Sequence, residues 1–353
     1  MSVTERLAVV LFNLGGPDSL EAVQPFLFNL FNDKAIIGLP GPIRYLLAKT
    51  LARRRAPVAR EIYGQLGGAS PLLPLTREQA YALESRLRDR GSEVRVFVCM
   101  RYWHPMSDAV AEEVRAFAPD RIVLLPLYPQ FSTTTTDSSL ADWHRAAVAA
   151  GLTASTSTVC CYPTQPGFIA AVARRLRNEV EQASLSEGYR ILFSAHGLPE
   201  RVIARGDPYQ WQVERTCAAV LEAIGGEFQD HVICYQSRVG PLKWIGPSID
   251  EALQEAAVDG VPVVVVPIVF VSEHSETLVE LDVEYRNRAQ EVGVPGYLRV
   301  PTVGTAGEFI AGLAELVEEA RQEGGIISAE GGRRCPAGFN GCCCPPIDVQ
   351  PVT

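Results

Sequence analysis

The sequence predicts an α/β protein of two similar halves with parallel sheets, and three observations carry that prediction. Short apolar runs alternate with segments of helical period along most of the chain. The runs are near-continuous rather than alternating, as in strands buried on both faces. The chain also echoes itself: LFNLGG (11–16) aligns with LFSAHG (192–197), and LLPLYPQFS (124–132) with VVPIVFVSE (265–273), Pro126 falling on Pro267. Such an echo places similar βα halves near 1–150 and 160–320.

Taken in order, the apolar runs expected as strands are LAVVLFN (7–13), VRVFVC (94–99), IVLLPL (122–127), YRILFSA (189–195), HVICY (231–235) and VPVVVVP (261–267). The intervening segments 75–90, 107–117, 167–185, 209–224, 247–257 and 273–292 carry helical patterns. Strand–helix–strand alternation means parallel sheets covered by helices. Ligands bind beyond the carboxyl ends of such strands. His196 follows the first strand of the second half, and an acidic helix follows the last, so both open onto one crevice.

Composition narrows the function. The chain has 353 residues, 47% of them apolar, which suffices for a large core. A net charge of −9 argues against a nucleic-acid partner held by phosphate neutralisation. The N-terminus reads as neither a signal peptide nor a membrane span, which points to the cytoplasm. There is no GxSxG elbow, HExxH or Walker loop, and the GG pairs at 15–16 and 67–68 complete no GxGxxG, which argues against a nucleotide cofactor.

The stretch VSEHSETLVELDVEY (271–285) holds the densest chemistry. At 100° per residue, Glu273, Glu276, Glu280 and Glu284 fall within an arc of about 80°. The ordinary fate of such acids is a solvated helix face complementing the macrodipole. Here, however, Glu276–Glu280 and Glu280–Glu284 are like-charge pairs four apart with no cation among them. Partly buried, they raise one another's pKa and can pass protons or attract a divalent cation. His196, in FSAHGLPERV (193–202), is either a turn histidine or a base facing the ligand.

The sequence resembles the ferrochelatases, which insert ferrous iron into a porphyrin. The resemblance rests on FNLGGPDS (12–19), IYGQLGGASPL (62–72), MRYWHP (100–105), YPQFSTTTTDSS (128–139), SAHGLPERV (194–202), YQSRVGPLKWIGPS (235–248) and VFVSEHSETLVELDVEY (269–285), in order and over nearly the whole chain. It implies two Rossmann-like domains with four-stranded parallel sheets and a porphyrin cleft between them, residues 1–155 and 156–325. His196 matches the catalytic histidine and Glu276 the acid facing it, with Glu273, His274 and Glu280 flanking as a proton or metal path. Tyr63, Ser70, Arg101, Tyr102, Trp244 and Phe270 match residues that line or support the cleft, and Leu14 stands where the animal enzyme has methionine. Insertion demands a bent ring, Fe²⁺ held close, and removal of two pyrrole protons. This predicts His196 and Glu276 confronting each other across a slot wide enough for a flat tetrapyrrole.

The tail, 326–353, holds Cys335, Cys342, Cys343 and Cys344 and cannot build a core unaided. In an extended segment Cys342 and Cys344 share a side. A fourth thiolate from Cys160 or Cys161 completes a site for zinc or [2Fe–2S]. The resemblance to bacterial ferrochelatases with a C-terminal cluster implies [2Fe–2S] on Cys161, Cys335, Cys342 and Cys344, with Cys160 and Cys343 as substitutes.

Residues 26–55 mix an apolar run with Arg53–Arg55, which reads as a helix pair or as a cleft lip resting on the inner membrane. A membrane lip favours protoporphyrin IX over coproporphyrin III. The rival to an enzyme is a two-lobed haem or metal carrier, and a homodimer is left open.

Overall fold

The computed structural model describes residues 5–88, 93–185, 188–225, 228, 230–238, 240, 242–329 and 333–344. Val239 and Pro241 of the 235–248 motif, and the tail beyond Cys344, lie outside these residues.

Among the described residues, nine strands form two parallel sheets. In chain order they are β1 (Arg6–Asn13), β2 (Glu93–Met100), β3 (Arg121–Pro126), β4 (Ser155–Val159), β5 (Arg190–His196), β6 (Asp230–Gln236), β7 (Val263–Pro267), β8 (Tyr297–Arg299) and β9 (Ile326–Ile327). The first sheet runs β2-β1-β3-β4-β9 and the second β6-β5-β7-β8. The first four strands of each therefore share one order, as the internal echo predicts. The first sheet differs from the expected four strands: Ile326–Ile327, entering the tail, adds a short edge strand to β4.

The six expected strands form, within two residues at each end. Those that escaped the apolar criterion are short or polar. β4 reads STSTV, and β8 has three half-buried residues. β4 buries only its last three residues, and β8 pairs with β7 alone.

Helices cover both sheets. Leu7–Val10 of β1 and Val263–Val265 of β7 are fully buried. One apolar core runs from Leu7 and Leu83 of the first lobe through Phe168 and Phe309 to Phe193 and Val264 of the second. Buried Gln79 joins the lobes: its Nε2 donates to the carbonyls of Val271 and Gly304, both at 3.0 Å, and its Oε1 accepts from Ser272 Oγ at 2.8 Å. With its hydrogen bonds made across the lobes, Gln79 is a costly group to lose.

Candidate active site and thiol cluster

His196 ends β5, in register with Gln236 of β6. Its other neighbour in the sheet is β7, and the chain beyond β7 leads into helix Glu276–Tyr285. His196 and Glu276 thus descend from adjacent strands of one sheet. Neighbouring strands lie about 4.8 Å apart, and the two side chains meet: His196 Nδ1 is 2.8 Å from Glu276 Oε2. This corrects the expectation of a slot between them. Groups that descend from adjacent strands of one sheet and touch each other leave no slot between them.

The acidic helix is wound as a π-helix, with i→i+5 bonds. This winding is rare and frequent at functional sites. The 100° reading of the stripe does not apply to it, and the structure splits the four acids. Glu284 is exposed. Glu273 precedes the helix and pairs with Arg299 Nη1 at 2.7 Å and the Thr302 amide at 2.9 Å. Burial opposes its charge, but Arg299 and these hydrogen bonds prevail and hold its carboxyl below the usual range. The cation absent from the local sequence is supplied by β8.

Glu276 and Glu280 remain together, held by the turn after β6. Ser237 donates to Glu280 through its amide at 2.9 Å and its hydroxyl at 2.6 Å, and Gln236 Nε2 donates at 2.9 Å. The Ser237 hydroxyl is also 3.4 Å from Glu276. Ser194 fixes the Gln236 amide by donating to its Oε1 at 2.7 Å. Ser237 adopts a φ of 59°, a left-handed conformation that costs a non-glycine residue energy and recurs at functional sites. Gln236 and Ser237 were not singled out from sequence; a polar pair closing an apolar strand was the available signal.

Electrostatics separates the roles. Burial disfavours charge on His196, but Glu276 and Glu280 outweigh it and raise its pKa. Burial likewise opposes charge on Glu276, yet His196 and His274 bring it down to about 2. Glu280 is pushed up to about 6, by burial first and then by the Glu276 charge. Ionised Glu276 thus strengthens the hold of His196 on a proton. His274 is driven the other way by burial. Its ring packs edge-on against Phe270 at 4.6 Å.

Tyr63 approaches Ser275 and Glu276, and burial pushes its hydroxyl up to about 12. Ser70 sits where a side chain on Gly16 would be, 2.4 Å from the position of an added Cβ. Leu14 is half-buried over the Phe12–Trp143 core. Trp244 lies against Gly197, beside His196, and its indole N–H is buried without a partner among the described residues. Arg101 and Tyr102, expected to line or support the cleft, are tied to the protein's own groups. Both bind Asp33, Arg101 Nη2 at 2.9 Å and the Tyr102 hydroxyl at 2.8 Å, and Ser138 donates to the same carboxylate. Tyr102 is only 1% exposed, so it presents almost no surface to a ligand. Asp33 escaped the sequence reading because its partners lie 68 to 105 residues away.

A second constellation forms 
where the tail returns. Phe131, Cys160, Cys161 and Cys344 are buried together, with Cys342 and Cys343 packed on them. Cys343 Sγ lies 3.1 Å from Cys160 Sγ, and Gln212 Nε2 lies 3.4 Å from Cys161 Sγ and 3.1 Å from Cys335 Sγ. Hydrogen bonds from Cys160 and Cys335 pull the Cys342 thiol down to about 3. Among the described residues, no three His, Cys, Asp or Glu side chains surround a point suited to one metal ion.

The family model described as ferrochelatase matches residues 6–321, stopping short of the cysteine tail. A ferrochelatase of Caulobacter vibrioides is 53% identical over 345 residues, covering 97% of this chain and 98% of that protein. One from Phenylobacterium zucineum is 53% identical over 341 residues, covering 96% and 98%. Among solved structures, SirB of Bacillus subtilis with Fe³⁺ superposes with a TM-score of 0.54 at 12% identity, covering 90% of this chain and 95% of that one. At that identity the likeness concerns the fold alone.

Proposed function

The chain belongs to the ferrochelatase family, and from that premise we propose which of its residues insert Fe²⁺ into a free-base porphyrin, and which porphyrin they serve. The activity makes it a lyase of haem biosynthesis. The observation that carries the site reading is the 2.8 Å contact of His196 with Glu276, backed by Glu280.

Insertion releases two protons for each ferrous ion. The His196–Glu276 pair rests with one proton between two groups that also suit Fe²⁺. An arriving ion binds Glu276 and displaces that proton, which leaves through Glu280 and Ser237. When the ion moves into the ring, His196 is free to take one pyrrole proton, and Glu280, with a pKa of about 6, takes the other. The ring lies over the pair, with Tyr63, Ser70 and Leu14 on the first-lobe side and Trp244 and Phe270 at the edge. Glu273 and His274 support the path without carrying it. Residues 1–155 and 156–325 are the two lobes of this reading.

Protoporphyrin IX is the proposed substrate, and the lip supports it. Helix Gly41–Gln65 buries Ala48, Ala52 and Ala56 while Ile43 and Leu46 are 56% and 67% exposed. Large apolar groups outward and alanines inward, followed by exposed Arg53–Arg55, suit the anionic inner face of a membrane. Among the described residues no helix is long and apolar enough to cross one. The contact is therefore peripheral, made from the cytoplasmic side. Flotation with anionic vesicles at low salt tests it; a protein that stays in the aqueous fraction, or that buries the lip in a dimer, removes the argument.

The tail, 326–344 among the described residues, is proposed to hold a [2Fe–2S] cluster on Cys161, Cys335, Cys342 and Cys344, with Cys160 and Cys343 within reach. The donor set supports it: Gln212 gives both sulfur contacts an N–H, which suits thiolates better than thiols. When bound, a cluster supplies a staple for the tail and a one-electron centre. Iron and sulfide analysis of anaerobically purified protein tests it; zinc in their place overturns it.

Anaerobic assays with Fe²⁺ and either porphyrin test the whole reading. Many turnovers, faster on protoporphyrin IX, are expected. Preference for coproporphyrin III overturns the substrate, and a merely stoichiometric absorbance change would make the protein a carrier.

A further inference from the structure

Gln212 lies in the first turn of helix Tyr209–Ile224, fully buried, and plays no part in the iron-insertion site. Its side-chain oxygen accepts the Phe131 amide at 2.7 Å. That contact determines which way the amide points. Reversed, its NH₂ would meet the Phe131 N–H, donor against donor, and its oxygen would meet two sulfur atoms. The NH₂ group must therefore face Cys161 Sγ at 3.4 Å and Cys335 Sγ at 3.1 Å. Two N–H bonds and two sulfur acceptors match one to one.

The two cysteines are far apart in sequence, one following β4 and the other in the tail. A single rigid amide touches both. Its own position is fixed by the helix: its backbone amide donates to the Pro208 carbonyl at 2.9 Å, and its carbonyl accepts from Thr216 Oγ1 at 3.0 Å.

We propose that Gln212 tunes the electronic state of the cluster site by donating its two amide N–H groups to the Cys161 and Cys335 sulfurs. This rests on the reading that these thiolates ligate a [2Fe–2S] centre. Hydrogen bonds to ligating sulfur draw electron density from it and favour the reduced form, so they raise the reduction potential. A residue that only fills space between Phe131 and the tail has no such effect.

The test compares full-length wild type, Gln212→Leu and Thr216→Val, purified anaerobically. Each is titrated with dithionite against redox mediators while the reduced signal is followed by electron paramagnetic resonance. Thr216→Val also breaks buried hydrogen bonds in this helix, with Gln130 and the Gln212 carbonyl, but leaves the sulfur donors in place. Gln212→Leu is expected to shift the potential to more negative values and alter the signal, with Thr216→Val matching wild type. Wild-type potential and signal in Gln212→Leu overturn the proposal, as does an equal shift in both variants. Should Gln212→Leu fail to fold, Gln212→Glu keeps the acceptor for Phe131 and turns an oxygen on the sulfurs. Its potential must fall below that of wild type, and an unchanged value overturns the proposal. Wild-type protein lacking iron and sulfide overturns the cluster reading first, and this proposal with it.

Discussion

The two lobes share a strand order and differ in what they place at the strand ends. Extending the internal alignment without gaps sets Gly15 against His196, Thr135 against Glu276 and Ser139 against Glu280. Where one lobe has glycine and hydroxyls, the other has imidazole and carboxylates. Gly15 has a φ of 83°, which a histidine would adopt only under strain, and an added Cβ would lie 3.1 Å from the Trp103 amide nitrogen. The helix following Thr135 is an ordinary α-helix, whereas the one starting at Glu276 is a π-helix. Paired half-buried carboxylates cost stability. The Glu276–Glu280 pair stands in one lobe only, and in the proposed reading the other lobe serves as the wall.

Substituting the equivalent positions tests that separation most severely. His196→Ala should lower kcat by about a thousandfold, within the range typical of a lost acid–base group, while porphyrin binding, followed by fluorescence quenching, persists. Thr135→Ala in the first lobe should change kcat by less than about threefold, as expected where no acid–base group is lost. Comparable losses in both would mean that the lobes share the chemistry.

The contrast also shows what a sequence can reveal. The parallel sheets were legible because a strand buried on both faces reads as a near-continuous apolar run, as β1, β3 and β7 do, and β2 and β6 keep enough of that run despite exposed Arg95 and His231. β4 and β8 were not, because β4 buries only its last three residues and β8 pairs with β7 alone. His196 and Glu276 were legible from their places after strands. Their contact was legible in principle too, since both follow strands of the second half. The ring of partners was not. Arg299 neutralises Glu273 from 26 residues away, and Asp33 draws Arg101, Tyr102 and Ser138 together over still greater separations. The π-winding that keeps Glu276 and Glu280 adjacent while releasing Glu284 leaves no periodic trace. Cys160, Cys161 and Cys344 pack together with Cys342 and Cys343 against them, but Gln212 carries no signal until Phe131 and two sulfurs surround it.

Glu280 offers a milder perturbation, because its lobe carries a carboxylate where the other carries Ser139. Its folded-state pKa of about 6 lies above the ordinary value of 4.5. The folded protein then holds this proton more tightly than the unfolded chain between those values. Stability from this group is present below about pH 4.5 and is lost as pH rises through 6. Glu280→Gln should therefore be more stable than wild type above pH 6, by about 1 kcal/mol after discounting for solvent screening. It should match wild type near pH 4. Turnover should change with it: the wild-type fall in kcat below about pH 6 should disappear from a profile already lowered about tenfold by loss of the second acceptor. Denaturant midpoints across pH and the pH–rate profile check the two halves. A midpoint difference independent of pH would show that Glu280 is not the group titrating.

The smallest expected effect sharpens the comparison at its best-matched point. The alignment sets Gly16 against Gly197, and each lacks a Cβ for a different reason. At Gly16 an added Cβ would lie 2.4 Å from Ser70 Oγ and 2.6 Å from Ser70 Cβ, too close for any rotamer of that serine to relieve. At Gly197 it would lie 3.0 Å from the Gln236 carbonyl, 3.1 Å from Arg238 Cγ and 3.4 Å from Trp244 Cε3, contacts that small shifts can absorb. Gly16→Ala should therefore cost roughly 1 kcal/mol and Gly197→Ala less, at the low end for overpacking. The decisive measurement is rescue. Ser70→Gly removes both clashing atoms, so the double variant Gly16→Ala/Ser70→Gly should recover the loss caused by Gly16→Ala when compared with Ser70→Gly alone. The same serine substitution should leave the cost of Gly197→Ala unchanged, because Ser70 does not touch that turn. Absence of coupling between positions 16 and 70 would mean that the first-lobe wall relaxes around an extra methyl group, and that its fit to the second lobe is looser than the shared strand order suggests.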